Sequence, residues 1–126
     1  MNALFDTSVL IARAAGEKLG SVPAQASISV MSLAELHYGV HKAADDATRA
    51  QRLRTLAYVE REMEAIGFDD EVARTFGEMA AAVRRQGRRP KIADLIIAAT
   101  AKRHAMTLIT RDAGLASVPG VESLLV

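Results

Sequence analysis

Residues 3–9, Ala3-Leu4-Phe5-Asp6-Thr7-Ser8-Val9, pass from an apolar run to an acid and two hydroxyls without a break. Ala3-Leu4-Phe5 reads as a buried strand, and the apolar spacing from Val9 to Ala14 reads as a short helix. The acid falls between them. The far end of the chain repeats the arrangement: Thr107 to Thr110 reads as a strand, and Asp112 follows two residues later.

The segments between alternate in the same way. Ile28-Ser29-Val30 is expected to be a second strand, running into a helix from about Leu33 to Lys42, after a loop over 16–24 with Gly20 and Pro23. Asp45 or Asp46 is placed to cap a long charged helix whose apolar stripe is Leu56, Val59, Met63 and Ile66. Gly67-Phe68 breaks it, with room for a very short strand. Asp69 or Asp70 then starts a helix buried along Val72, Phe76, Met79 and Val83, which Gly87 and Pro90 end. Ile92 to Arg103 is apolar on nearly all sides up to Lys102, as a deeply buried helix would be, and Ser123–Val126 supplies a last strand. Strands alternating with helices predict an α/β fold with a mostly parallel sheet, in a single domain over residues 1–126.

Composition narrows the function. Half of the 126 residues are apolar and 4% are aromatic, with no Trp, so the core is aliphatic. There is no Cys, which excludes disulfides, thiolate metal sites and a cysteine nucleophile, and agrees with a reducing, cytoplasmic setting. No apolar run approaches the roughly 20 residues that span a bilayer, and no signal peptide is evident, so no membrane role is expected. The net charge of +1 is uninformative, but basic residues gather at Arg84, Arg85, Arg88, Arg89 and Lys91. No nucleophile elbow, Gly-rich phosphate loop, Ser–His–Asp set or aromatic stacking platform for RNA is visible.

The acids carry the chemistry. Asp6 and Asp112 follow strands, Glu35 is expected in the first turn of the helix after the second strand, and Asp94 opens the buried helix. In an open parallel sheet, ligands bind in the crevice beyond the carboxyl ends of the strands. Each acid also has a purely structural reading. Asp6 and Asp112 suit helix N-caps, Ser32-Leu33-Ala34-Glu35 has the form of a capping box, and Asp94 suits the positive end of its helix. Gathered in one cleft, however, four carboxylates repel one another and call for a cation. An all-oxygen set selects a hard ion, Mg²⁺ with Mn²⁺ as substitute, and such an ion among carboxylates suits phosphodiester hydrolysis. Thr7, Ser8 and Thr110 stand beside the acids, either to orient ligands and water or only to satisfy the turns.

Four segments in this order resemble the successive motifs of PIN-domain ribonucleases, and more narrowly the toxin subunits of VapBC-type toxin–antitoxin pairs. They are Phe5-Asp6-Thr7-Ser8-Val9, Ala34-Glu35-Leu36-His37-Tyr38-Gly39, Ala93-Asp94-Leu95-Ile96-Ile97-Ala98-Ala99 and Leu108-Ile109-Thr110-Arg111-Asp112. The resemblance spans essentially the whole chain, and its specificity lies in the ordered set. It implies a PIN-like parallel sheet flanked by helices, and metal-dependent cleavage of single-stranded RNA, with Asp6, Glu35, Asp94 and Asp112 holding the ion. It also implies a homodimer and a cognate antitoxin whose tail blocks the site. Many relatives carry a further Asp-Phe shortly after the fourth motif, where this chain has Gly114-Leu115-Ala116. One resident ion is therefore expected, a second arriving only with substrate. The competing reading is a non-catalytic PIN-like module that docks a basic peptide in the acidic pocket.

The remaining polar residues are weighed against that site. Arg88, Arg89 and Lys91 lead into Asp94 and are candidate phosphate contacts, although cations also suit a helix C-terminus. Arg111, between Thr110 and Asp112, is a further candidate contact, or a partner for a nearby acid. His37 and His41 lie four apart on a helix but lack a third zinc ligand. His104 suits a helix C-cap, and Gly39, costly inside a helix, suggests a close packing contact.

Overall fold

The computed structural model describes residues 2–126. In chain order its elements are β1 (Ala3–Phe5), α1 (Thr7–Ala14), β2 (Ser27–Ser29), α2 (Val30–Lys42), α3 (Asp46–Glu62), β3 (Ala65–Ile66), α4 (Asp70–Arg85), α5 (Ile92–Arg103), β4 (Thr107–Thr110), α6 (Ala113–Ala116) and β5 (Ser123–Leu125). The strands form one sheet in the order β3-β2-β1-β4-β5, and every pairing is parallel. The expected α/β architecture is the one observed.

The strands carry apolar residues on both faces, as in Ala3-Leu4-Phe5 and Leu108-Ile109, because helices cover both sides of the sheet. Side chains alternate across the sheet, so Ala3 and Phe5 enter one core and Leu4 the other. The first core joins Phe5, Ile28 and Ile109 to Val9 and Leu10 of α1, Leu36 and Val40 of α2, and Leu56 and Val59 of α3. The second joins Leu4 and Leu108 to Val72, Met79 and Val83 of α4 and to Leu95, Ile97 and Ala98 of α5. Phe5, Leu4, Ile97 and Leu108 are completely buried, each contributing about 1.5–3 kcal/mol by leaving water. Helix α5 is buried from Ile97 to Ala101, as its composition predicts, but its first turn is not: Ile92 is 68% exposed.

Several boundaries differ from the sequence reading. Helix α2 begins at Val30, not near Leu33, because Ser29 is its N-cap and accepts from the Met31 N–H at 3.0 Å. Glu35 therefore lies in the second turn, and Ser32 caps nothing. Helix α3 ends at Glu62, where Met63 turns extended (φ −125°, ψ 143°) and the chain enters β3. The stripe assigned to one helix thus crosses from α3 through that turn into a strand, and the short strand precedes Gly67-Phe68. In each acidic pair the first residue is the cap: Asp45 binds the Thr48 N–H and Asp69 the Val72 N–H. Gly87 ends α4 with φ +75°, a conformation costly to side chains other than glycine. The short helix α6 has no counterpart in the sequence reading.

Sheet order determines where a site can form. From β1 the chain builds outward through β2 to β3, then returns to the other side of β1 for β4 and β5. The switch point lies between β1 and β4, whose carboxyl ends carry Asp6 and Asp112. Among the described residues, no helix is long and apolar enough to cross a membrane.

Candidate active site

Asp6, directly after β1, is the most deeply buried of the four acids. Its backbone N–H donates to the Ile109 carbonyl at 2.9 Å, continuing the β1–β4 ladder by one residue. The side chain then caps α1, with Oδ1 accepting from the Thr7 N–H at 2.8 Å. Oδ2 accepts from Ser8 Oγ at 2.7 Å and from Thr110 Oγ1 at 2.9 Å. Only 5% of Asp6 is exposed, and these three donors compensate its burial.

Thr110 ties the two strand ends together. While donating to Asp6, its hydroxyl accepts from the Asp112 N–H at 3.0 Å. Asp112 caps α6, its Oδ1 accepting from the N–H groups of Gly114 (2.8 Å) and Leu115 (3.2 Å). A Cβ at Gly114 would stand 3.1 Å from that oxygen, so the glycine lets the cap close without crowding. Ser8 also serves two partners, accepting from the Arg111 N–H at 3.3 Å.

Glu35 enters from α2. Its Oε1 accepts from Thr7 Oγ1 at 2.7 Å, and Thr7 Oγ1 lies 2.9 Å from the wholly buried Ser32 Oγ. A carboxylate cannot donate, so the single Thr7 proton is committed to Glu35 and Ser32 donates to Thr7. The capping-box reading of Ser32 and Glu35 is therefore replaced by a cross-helix relay. Nothing in the local pattern Ser32-Leu33-Ala34-Glu35 distinguishes the two.

Asp94, in the first turn of α5, completes the set. Its carboxyl is held above the ordinary value, first by burial and then by the charges of Asp6, Asp112 and Glu35, with Lys91 opposing. Each of the other three acids is thus close enough to be felt. Among the described residues, no three acids or imidazoles close on one point as a direct ligand cage. Oxygens of Asp6, Glu35 and Asp112 are instead engaged by hydroxyls and backbone N–H groups. Such an arrangement fits a hard ion that keeps several waters and takes only one or two carboxylates directly, as Mg²⁺ does.

The basic residues divide. A cavity of about 400 Å³ is lined by Arg88, Arg89, Pro90, Lys91, Asp94 and Asp112, with Gly114 and Leu115. Arg89 and Lys91 therefore border the acids. Arg88, expected as a phosphate contact, has its guanidinium turned onto α6. Arg111 pairs with Glu17, outside the acidic set, in a half-exposed ion pair.

The other polar predictions fall outside the cleft. His37 Nε2 faces Glu60 Oε1 at 3.4 Å, across α2 and α3, and His41 is exposed. His104 is the C-cap residue of α5. A Cβ at Gly39 would meet Arg52 Cδ at an ordinary 3.9 Å, so no close approach requires the glycine, whose carbonyl accepts from Arg52 at 2.6 Å. Tyr38, which the sequence reading did not single out, is 65% exposed one turn beyond Glu35. It lines a second groove, of about 500 Å³, with Thr7, Ile11, Glu35, Lys42 and Arg52.

The chain and its topology match a known class. The PIN-domain family model matches residues 3–121, and the chain belongs to that family. It is 40% identical over 123 residues to ribonuclease VapC5 of Mycobacterium tuberculosis, covering 96% of this chain and 90% of that protein. Ribonuclease VapC4 of the same species is 33% identical over 98% of this chain and 96% of its own length. The crystal structure of VapBC-5, a member of the VapBC family of toxin–antitoxin systems from M. tuberculosis, superposes with a TM-score of 0.83. Identity there is 35%, with 99% of this chain and 98% of that chain covered. Within the PIN family, the chain falls among the VapC ribonucleases of VapBC toxin–antitoxin systems.

Proposed function

We propose that the chain is a Mg²⁺-dependent endoribonuclease, with Asp6, Glu35, Asp94 and Asp112 holding the ion and Mn²⁺ able to replace it. The observation that carries this reading is the placement of Asp6 and Asp112 at the carboxyl ends of the adjacent strands β1 and β4, with Asp94 half-buried beside them, its pKa raised by burial and then by the charges of Asp6, Asp112 and Glu35. When bound, the ion would neutralise charge at the phosphodiester and lower the pKa of water, so that deprotonation to the attacking hydroxide becomes easier. The chain's own residues set the geometry. Thr7 aims Glu35, Thr110 and Ser8 fix Asp6, and the α6 N–H groups orient Asp112. Arg89 and Lys91 at the rim offset the repulsion between the acids and RNA phosphates, and Arg111 could join them only by leaving Glu17.

The toxin role follows from the VapC relatives. A cognate antitoxin is proposed as the partner that silences the site, and the homodimer implied by the resemblance as the assembly. Sedimentation of the toxin alone and with its co-encoded neighbour measures both.

The direct test compares RNA cleavage by wild type and Asp6→Asn, with and without EDTA. Losing several kcal/mol of transition-state stabilisation predicts a drop of roughly 10³-fold or more. Equal cleavage by the two proteins would refute a metal nuclease. Calorimetry with Mn²⁺ separates this reading from a peptide-docking module, which needs no ion. Because bound metal competes with the proton at Asp94, whose pKa is raised by burial and by the neighbouring acids, affinity for Mn²⁺ is expected to fall as pH drops through the Asp94 titration.

A further inference from the structure

We propose that Arg88 is a positioning residue for Asp112: it clamps α6 to the α4–α5 loop and thereby sets the separation of Asp94 and Asp112. This rests on the metal-nuclease reading above for its consequence, though not for its geometry. Arg88 Nη1 donates to the Ser117 carbonyl at 3.1 Å, and Nη2 donates to the Gly114 carbonyl at 2.7 Å and to Ser117 Oγ at 3.0 Å. Ser117 Oγ donates in turn to the Gly114 carbonyl at 2.9 Å, closing the cluster. The Arg88 backbone is fixed too, its N–H bonding the Val83 carbonyl at 3.0 Å.

Helix α6 has only four residues, far too few to hold a helical conformation alone. Asp112 closes its N-terminal end, and Arg88 satisfies the carbonyls that its C-terminal end leaves orphaned. On the other side, Arg88 belongs to the segment that enters α5, where Asp94 lies in the first turn. One side chain thus joins the segment bearing Asp94 to the helix that Asp112 caps, and all three line the same cavity. A guanidinium spanning three acceptors cannot turn to a phosphate without releasing α6. Its planar fork is also something a lysine ammonium does not reproduce.

The test uses Arg88→Lys and Arg88→Ala in the full chain. Amide hydrogen exchange of residues 114–117 in the metal-free protein reads the clamp directly, and Arg88→Lys is expected to accelerate it as Arg88→Ala does. Both substitutions are expected to lower kcat and Mn²⁺ affinity by roughly tenfold, as for other residues that orient metal-site acids. KM for RNA and the salt slope of RNA binding should stay at the wild-type values. A phosphate contact predicts the opposite: charge-preserving Arg88→Lys would retain activity, and Arg88→Ala would lower the salt slope by about one while α6 exchange stayed unchanged. Either that pattern or no change at all overturns the proposal. Failure of the metal-nuclease reading is visible separately, as Asp6→Asn cleaving like wild type, and leaves the exchange result to decide whether Arg88 holds α6.

Discussion

Aspartates close the N-termini of α1 and α6, as others close those of α3 and α4, yet the two pairs lie in different regions. The cap bonds are of similar length: 2.8 Å from Asp6 to the Thr7 N–H and from Asp112 to the Gly114 N–H, against 2.7 Å for Asp45 to Thr48 and 2.9 Å for Asp69 to Val72. What differs is the surroundings. Asp6 and Asp112 follow adjacent central strands, whereas Asp69 follows β3, two strands and so about 10 Å from β1 along the sheet. Electrostatics separate the regions as well. Hydrogen bonds from Thr48 hold Asp45 below the ordinary carboxylate value, while burial and three neighbouring acids hold Asp94 above it. Capping and site formation are therefore not rival explanations of an acid. Capping fixes the carboxylate, and topology decides whether other acids meet it.

The largest way to break this contrast is Asp94→Asn. Cleavage should fall by roughly 10³-fold, as for Asp6→Asn, while the metal-free protein becomes more stable at neutral pH. The sign follows from linkage. A carboxyl whose folded pKa is raised binds its proton more tightly in the folded state, so its charge destabilises the fold. That penalty is complete above the raised folded pKa and absent below the ordinary value of 3.8. Urea denaturation of both proteins across that range should show the stability gain vanish in acid. Adding Mn²⁺ should reverse the order, because a ligand at a hundred times its Kd stabilises the binding-competent wild type by about 2.7 kcal/mol. A variant with no gain in metal-free protein would mean that neither burial nor the neighbouring acids penalise the Asp94 charge.

Thr7→Val probes the buried half of the site. It keeps the shape and the α1 backbone but removes the hydroxyl between Ser32 and Glu35. Ser32 Oγ, wholly buried, then loses its acceptor, which costs about 1–3 kcal/mol. Freed from its donor, Glu35 is expected to lower cleavage by about ten- to a hundredfold. Parallel measurement of melting temperature and kcat checks both. Undiminished cleavage would show that Glu35 needs no help from Thr7.

The sequence displays one of the two regions more fully than the other. Apolar runs ending in acids mark β1 and β4, because a buried strand and its C-terminal cap are local features. Ser32 is invisible to such reasoning: its partner Thr7 lies 25 residues away, and Ser32-Leu33-Ala34-Glu35 coincides with a capping box that is not formed. Periodicity likewise fails at Met63, since a spacing of three and four cannot register a backbone that turns extended. The cluster from Arg84 to Lys91 is legible as charge. That Arg88 is committed to carbonyls at residues 114 and 117 depends on how α6 packs, which no local pattern encodes.

The smallest expected effects come from the caps outside the switch point, and they sharpen the comparison by leaving the chemistry untouched. Asp69→Ala removes the Val72 cap bond and should cost about 1 kcal/mol of stability with kcat, KM and Mn²⁺ affinity unchanged. Asp45→Ala should add a dependence on pH, because the Asp45 pKa is lowered by Thr48. A depressed folded pKa contributes stability above the unfolded value of about 3.8 and loses it as pH falls through the folded value. The deficit of Asp45→Ala relative to wild type should therefore be present at neutral pH and shrink in acid, whereas the gain of Asp94→Asn shrinks over its own window with the opposite sign. Two aspartates in one small protein would then show opposite acid responses for a reason visible in their surroundings: backbone donors around one, burial among carboxylates around the other. Any loss of cleavage in Asp45→Ala or Asp69→Ala would mean that caps remote from β1 and β4 still govern the site, and the distinction between the two regions would have to be withdrawn.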